Sequence, residues 1–105
     1  MATSKEYLNY ILGQLSSLDD ITYRPMMGEY IIYYRRKIAA YLCDNRFLVK
    51  PVSAAVSLMP GADAEAPYEG AKLMLVVDNT DDKEFLEKLF NAIYAELLPT
   101  KHKKR

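Results

Sequence analysis

The stretch ITYRPMMGEYIIYYRRKIAAYLCDNRFLVKP, residues 21–51, decides how the rest of the chain folds. Its β-branched and aromatic density is high, helical spacing is absent, and the polar breaks RRK and DN divide it. The pattern predicts a meander: a first extended stretch over 21–27, then strands over 29–35, 38–43 and 46–50. A two-residue turn at Asp44-Asn45 sets Leu42 opposite Phe47 and Ala40 opposite Val49, so these four share one face. For the preceding hairpin, a three-residue loop at 35–37 adds Tyr30, Ile32, Tyr34 and Ile38 to that face. It leaves Glu29, Tyr33, Tyr41, Arg46 and Lys50 on the other. A two-residue loop at Arg36-Lys37 puts Arg35 among apolar neighbours, a poorer separation of apolar from charged groups. The three-residue loop is therefore the expected one.

Helices flank this meander. Leu8, Ile11, Leu12, Leu15 and Leu18 recur at helical spacing over residues 4–18, and Thr3 with Glu6 has the spacing of a capping box. VSAAVSLMP after Pro51 reads as a short helix capped by Ser53 and stopped near Pro60, followed by a loop over 61–67. AKLMLVV, residues 71–77, is a continuous apolar run between Gly70 and Asp78, as in a buried strand. Asp81 and Glu84 form a second candidate capping box. Beyond it Phe85, Leu86, Leu89, Phe90, Ile93, Tyr94, Leu97 and Leu98 make a stripe wide enough to be covered on two sides, by the sheet and another helix or by a second subunit. The expected fold class is α+β, a curved antiparallel sheet of about five strands with helices packed on it. The 105 residues make one domain, with loose ends at 1–3 and 99–105.

Composition narrows the function classes. Basic and acidic residues number 14 each, so no overall field draws the chain to nucleic acid or anionic lipid. There is no signal-peptide pattern and no apolar run of membrane-span length, which points to a cytoplasmic protein. Cys43 is the single cysteine, and its place inside a strand suits a small buried hydrophobe better than a nucleophile. His102 stands in the basic tail with no second ligand or partner base. DNTDDKEFLE lacks the central glycine of a calcium loop, and the four glycines form no phosphate-binding fingerprint. No catalytic residue, metal or cofactor is expected, and the chain is read as non-enzymatic.

Two surface groupings remain. Tyr33, Arg35, Arg36, Lys37, Tyr41, Arg46 and Lys50 make a basic and aromatic set suited to contact with another protein or a second copy. Rings beside cations also allow single-stranded nucleic acid as an alternative. Met26, Met27, Tyr30 and Tyr68 are candidates to line an apolar small-molecule pocket. Gly28, between two extended stretches, marks a bulge, a positive φ or a close backbone approach.

The segment YRPMMGEYIIYYRRKIAAYLCDNRFLVKP, with the signature Arg24, Met26, Met27 and Gly28, resembles the N-terminal domain of the TfoX/Sxy family of bacterial competence regulators. The opening helix, Tyr68 before GAKLMLVVDN and the final amphipathic helix extend the likeness over nearly the whole chain. The resemblance implies a fold similar to secretion chaperones, no catalytic activity, and a link to transcription regulation or DNA uptake. It also implies a stand-alone domain without the second, helical domain of the longer regulators.

Overall fold

The computed structural model describes residues 3–67 and 69–97. In chain order the elements are α1 (Lys5–Gln14), β1 (Ile21–Met26), β2 (Glu29–Tyr34), β3 (Lys37–Cys43), β4 (Arg46–Val49), α2 (Ser53–Leu58), β5 (Ala64–Glu65), β6 (Met74–Val76) and α3 (Lys83–Tyr94). The strands form one antiparallel sheet of order β1-β2-β3-β4-β6-β5. This is the expected α+β architecture, with six strands. Tyr68, Leu98 and the tail that carries His102 lie outside the described residues.

Three two-residue turns build the meander. Met27-Gly28, Arg35-Arg36 and Asp44-Asn45 all hold both residues at positive φ, the geometry whose twist matches that of paired strands. The Asp44-Asn45 hairpin has the predicted register, Leu42 opposite Phe47 and Ala40 opposite Val49. The middle hairpin corrects the expectation. Its loop is Arg35-Arg36 alone, Tyr34 faces Lys37, and the register shifts by one residue between Ile32 and Tyr33. The extra residue anticipated in the loop is thus Ala39, a bulge inside β3. Beyond it the predicted pairing returns, with Ile32 opposite Ala40 and Tyr30 opposite Leu42. Tyr30, Ile32 and Tyr34 keep their places on the core face, whereas Ile38 pairs with Tyr33 and turns to the other side.

All three helices pack on that core face. Leu8, Ile11 and Leu15 from the α1 region, Ala55 from α2, and Leu86, Leu89, Phe90 and Ile93 from α3 join Ile32, Tyr34, Ala40, Leu42, Phe47 and Val49 in one cluster. Its centre is aromatic: Phe90 lies 5.8 Å from Tyr34 and 6.0 Å from Phe47, and the Tyr34 hydroxyl donates to Asn91 Oδ1 at 2.7 Å. The four fully buried residues of α3 contribute roughly 6–12 kcal/mol of apolar transfer, an upper bound against an extended chain. The wide stripe of α3 is therefore covered by the sheet and α2 within one chain.

The helix ends differ by one residue from the sequence reading. Ser4, not Thr3, caps α1 by accepting from the Tyr7 N–H at 3.1 Å, and Asp82, not Asp81, caps α3 through Phe85 N–H at 3.0 Å. Ser53 is the first helical residue of α2 rather than its cap. The orphan donors there are met by Glu96, whose carboxylate accepts from Ser53 N–H, Ser53 Oγ and Ala54 N–H at 3.2, 2.7 and 2.9 Å. These bonds, the Ser53 hydroxyl first, hold the Glu96 carboxyl below its ordinary range.

Thr3, expected at a loose end, is buried. Its N–H donates to Gly28 O at 2.9 Å, and its hydroxyl lies 2.6 Å from Glu29 Oε1 and 3.0 Å from Leu42 O while accepting from Asn45 N–H at 3.3 Å. Glu29 Oε1 also accepts from Asp44 N–H at 3.1 Å, and Asn45 Oδ1 accepts from Ser4 N–H at 2.9 Å. The N-terminal strap thereby joins the Met27-Gly28 and Asp44-Asn45 turns at one end of the sheet. Gly28 answers both to a positive φ of 86° and to a close backbone approach.

Candidate functional site

The helices leave the second face of the sheet to other contacts. Alternation and register place Thr22, Arg24 and Met26 of β1, Glu29, Ile31 and Tyr33 of β2, and Ile38, Tyr41 and Cys43 of β3 on it. Arg46 and Leu48 of β4, Glu65 of β5, and Met74 and Val76 of β6 continue it. Cys43, Leu48 and Met74 form a small second cluster with Tyr41 and Val76 packed against it, and no helical residue belongs to it. Towards the β1 edge, Ile31, Tyr33 and Ile38 are only half-buried.

The basic and aromatic set divides three ways. Tyr33, Tyr41, Arg46 and Lys50 fall on the outer face, as expected. Arg46 is occupied there, paired with Glu65 and donating from Nε to Cys43 O at 3.3 Å. Arg35 and Lys37 turn to the opposite side, at the end of α3. The Arg35 guanidinium lies 5.2 Å from the Tyr34 ring and 5.7 Å from that of Tyr94, while Lys37 Nζ sits 4.2 Å over the Tyr94 ring and donates to Tyr94 O at 3.4 Å. Lys37 thus meets the negative end of the helix dipole. Arg36 is exposed at the turn.

Of the Met/Tyr set, Met26, Met27 and Tyr30 are not brought together. Met27 is 96% exposed at its turn, Met26 is on the outer face opposite Glu29, Tyr30 is on the core face against Tyr23 (ring centroids 5.9 Å apart), and Tyr68 lies outside the described residues.

A different concavity exists, on the outer face. The β4–β6 ladder ends at Val49 opposite Leu75, because Pro51 offers no N–H and Lys50 O is taken by Val52 N–H at 2.8 Å. The two chains then diverge, and Pro67 and Gly70 to Leu73 extend the opening. The cleft so formed has a volume of about 620 Å³ and is lined by Tyr41, Lys50, Pro51, Val52, Pro67 and Gly70 to Met74. Sequence reading missed this site, although Pro51 and Pro67 both line it. It also took 71–77 for one buried strand. Among the described residues pairing partners exist only for Met74–Val76, and Lys72 and Leu73 are exposed, Leu73 by 58%. Ala64–Glu65, expected in a loop, is held as a strand by Leu75 and Met74.

The Cys43 thiol is fully buried. Burial first, and the Glu29 carboxylate second, push it up to about 11, which keeps it protonated and unreactive at neutral pH. Among the described residues no three His, Cys, Asp or Glu side chains gather as a metal site would need, and no helix is long and apolar enough to cross a membrane.

No family model matches the chain, and no solved structure matches it. It is similar to a protein of Spirochaeta aurantia described as an uncharacterized 12.7 kDa protein in the trpE 5′ region. The two are 34% identical over 79 residues, which span 75% of this chain and 69% of the relative. The chain belongs to the family of that protein. The 79 aligned residues exceed any single element of the fold, so the likeness is not confined to one local motif.

Proposed function

We propose that the chain is a protein-interaction module, related to the N-terminal domain of TfoX/Sxy regulators, that contacts a protein partner or a second copy through the outer face of β1 to β3. The observation that carries this reading is the one-sided packing of the helices. Three helices cover one face, while Ile31, Tyr33 and Ile38 stay half-exposed on the other beside Thr22 and Arg24. An aromatic residue and an arginine next to β-branched aliphatics are the composition of contact surfaces. The Arg24-to-Gly28 signature, on which the family likeness rests, forms the end of β1 and the first turn, where this face begins.

The geometry favours a protein contact over a nucleic-acid one. Arg46 is paired with Glu65, and Arg35 and Lys37 engage Tyr34 and Tyr94, so the basic residues form no continuous track along the outer face. Ile31→Glu and Tyr33→Glu, made singly and together, test the proposal. Sedimentation velocity over a wide concentration range reads self-association, and cross-linking followed by mass spectrometry in the native host reads partners. The charged variants should lose the contact while keeping the wild-type circular dichroism spectrum. Association that persists unchanged in the folded double variant would remove this face from consideration.

A further inference from the structure

We propose that the cleft between the ends of β4 and β6 binds a small amphipathic anion, an aliphatic carboxylate whose tail lies on the apolar lining and whose head group meets Lys50 and Lys72. The volume of about 620 Å³ falls within the range of small-molecule sites. Most of the lining is apolar: Tyr41 and Met74 from the outer face, Pro51 and Val52 at the end of β4, and Pro67 and Leu73 from the segment that extends the opening.

Charge selects the ligand class. The two ionisable groups in the lining other than Tyr41 are Lys50 and Lys72, one from each of the diverging chains. Among the described residues neither has a carboxylate within salt-bridge distance, whereas Arg46 on the same face is already paired with Glu65. An apolar trough with two ammonium groups that no described carboxylate pairs complements a chain that ends in an anion. It disfavours the same chain ending in a cation, and gives an alcohol only the apolar part of the interaction. Leu73, 58% exposed, is a large apolar side chain placed where a bound tail would cover it.

The site shares Tyr41 with the outer face of β1 to β3 but not Ile31 or Tyr33, whose substitution tests the protein contact, so the two readings fail independently. Sodium decanoate is the probe, with decan-1-ol and decyltrimethylammonium as comparators. Binding is followed by isothermal titration calorimetry and by amide chemical shifts in the full chain. Decanoate should bind saturably at millimolar concentration or below, with the largest shifts at residues 50–52 and 70–74. Decan-1-ol should bind about fivefold or more weakly, as should decanoate to Lys50→Met and Lys72→Met. Leu73→Asp, a change at an exposed position, should abolish binding without loss of fold, and Ile31→Glu should leave it unchanged. Absence of saturable binding, equal affinity for the three probes, or affinity unaltered in both lysine variants would each overturn the proposal.

Discussion

Replacing Arg36 by glycine should make the protein more stable, although it deletes a charged side chain and adds the most flexible residue. The Arg35-Arg36 turn holds φ at 50° and 71°, a region in which a Cβ crowds the following carbonyl. That crowding costs about 1–2 kcal/mol per residue, and glycine does not bear it. Against this, glycine enlarges the unfolded ensemble, which costs about 0.4–1 kcal/mol. Arg36 is exposed, so little packing is lost with it. The net expectation is a gain of about 0.5–1 kcal/mol, equivalent to roughly 2–6 °C in Tm for a domain of this size. Arg35 is not the position to change, because its guanidinium lies over the Tyr34 and Tyr94 rings, a contact worth about 0.5–1 kcal/mol.

Urea denaturation read by fluorescence and circular dichroism gives the comparison. The midpoint of Arg36→Gly should rise with an unchanged m value. Arg36→Ala keeps its Cβ and should show no such gain. If Arg36→Gly falls below the wild type, or if alanine stabilises as much as glycine, the turn is not strained as argued.

Two further outcomes follow from buried groups. Thr3→Val keeps the shape of the strap residue but removes the hydroxyl that meets the Glu29 carboxylate and Asn45 N–H, and should cost about 2 kcal/mol in urea unfolding; a loss under about 0.5 kcal/mol would show that water replaces those bonds. The folded Cys43 thiol titrates near 11, against an ordinary value of 9.0, so its contribution is complete below the lower value and is lost as pH rises through the higher one. Between those limits the wild type should lose about 2–3 kcal/mol more than Cys43→Ala; parallel stability curves for the two proteins would refute this.

How much of this was legible depends on whether local chemistry or a distant partner decides each feature. Asp44-Asn45 announces its turn because both residues tolerate positive φ, and the register of β3 and β4 followed from it. Arg35-Arg36 announces nothing, since arginine has no preference for that region. The extra residue was accordingly assigned to the loop, and Ala39 carries it instead. The apolar alternation of Tyr30, Ile32 and Tyr34 was strong enough to put the right side chains in the core even so. Other features are set from far along the chain. Glu96 satisfies the start of α2 from 43 residues away, and β5 exists because β6 is there to pair with it. The cleft belongs to this second kind, since it opens where two strands that are distant in sequence stop pairing.

The bulge also links the fold to the proposed contact face. Had the extra residue stayed in the loop, Ile38 would point into the core beneath α3, and Lys37 would sit in the turn. With Ala39 as the bulge, Lys37 is set opposite Tyr34 and reaches the Tyr94 ring and carbonyl at the end of α3. Ile38 is set opposite Tyr33 and adds its side chain to the outer face. One inserted residue thus moves a cation to the end of a helix, where it is stabilising, and an aliphatic group to an uncovered surface, where it is not. Bulges of this kind re-aim side chains near functional surfaces. Deleting Ala39 should leave a regular hairpin on the same Arg35-Arg36 turn, with Tyr33 still opposite Ile38 and Ile32 opposite Ala40, so the contact made by Ile31 and Tyr33 should persist in the folded deletion variant; its loss, read by sedimentation velocity, would refute the assignment of the extra residue to Ala39.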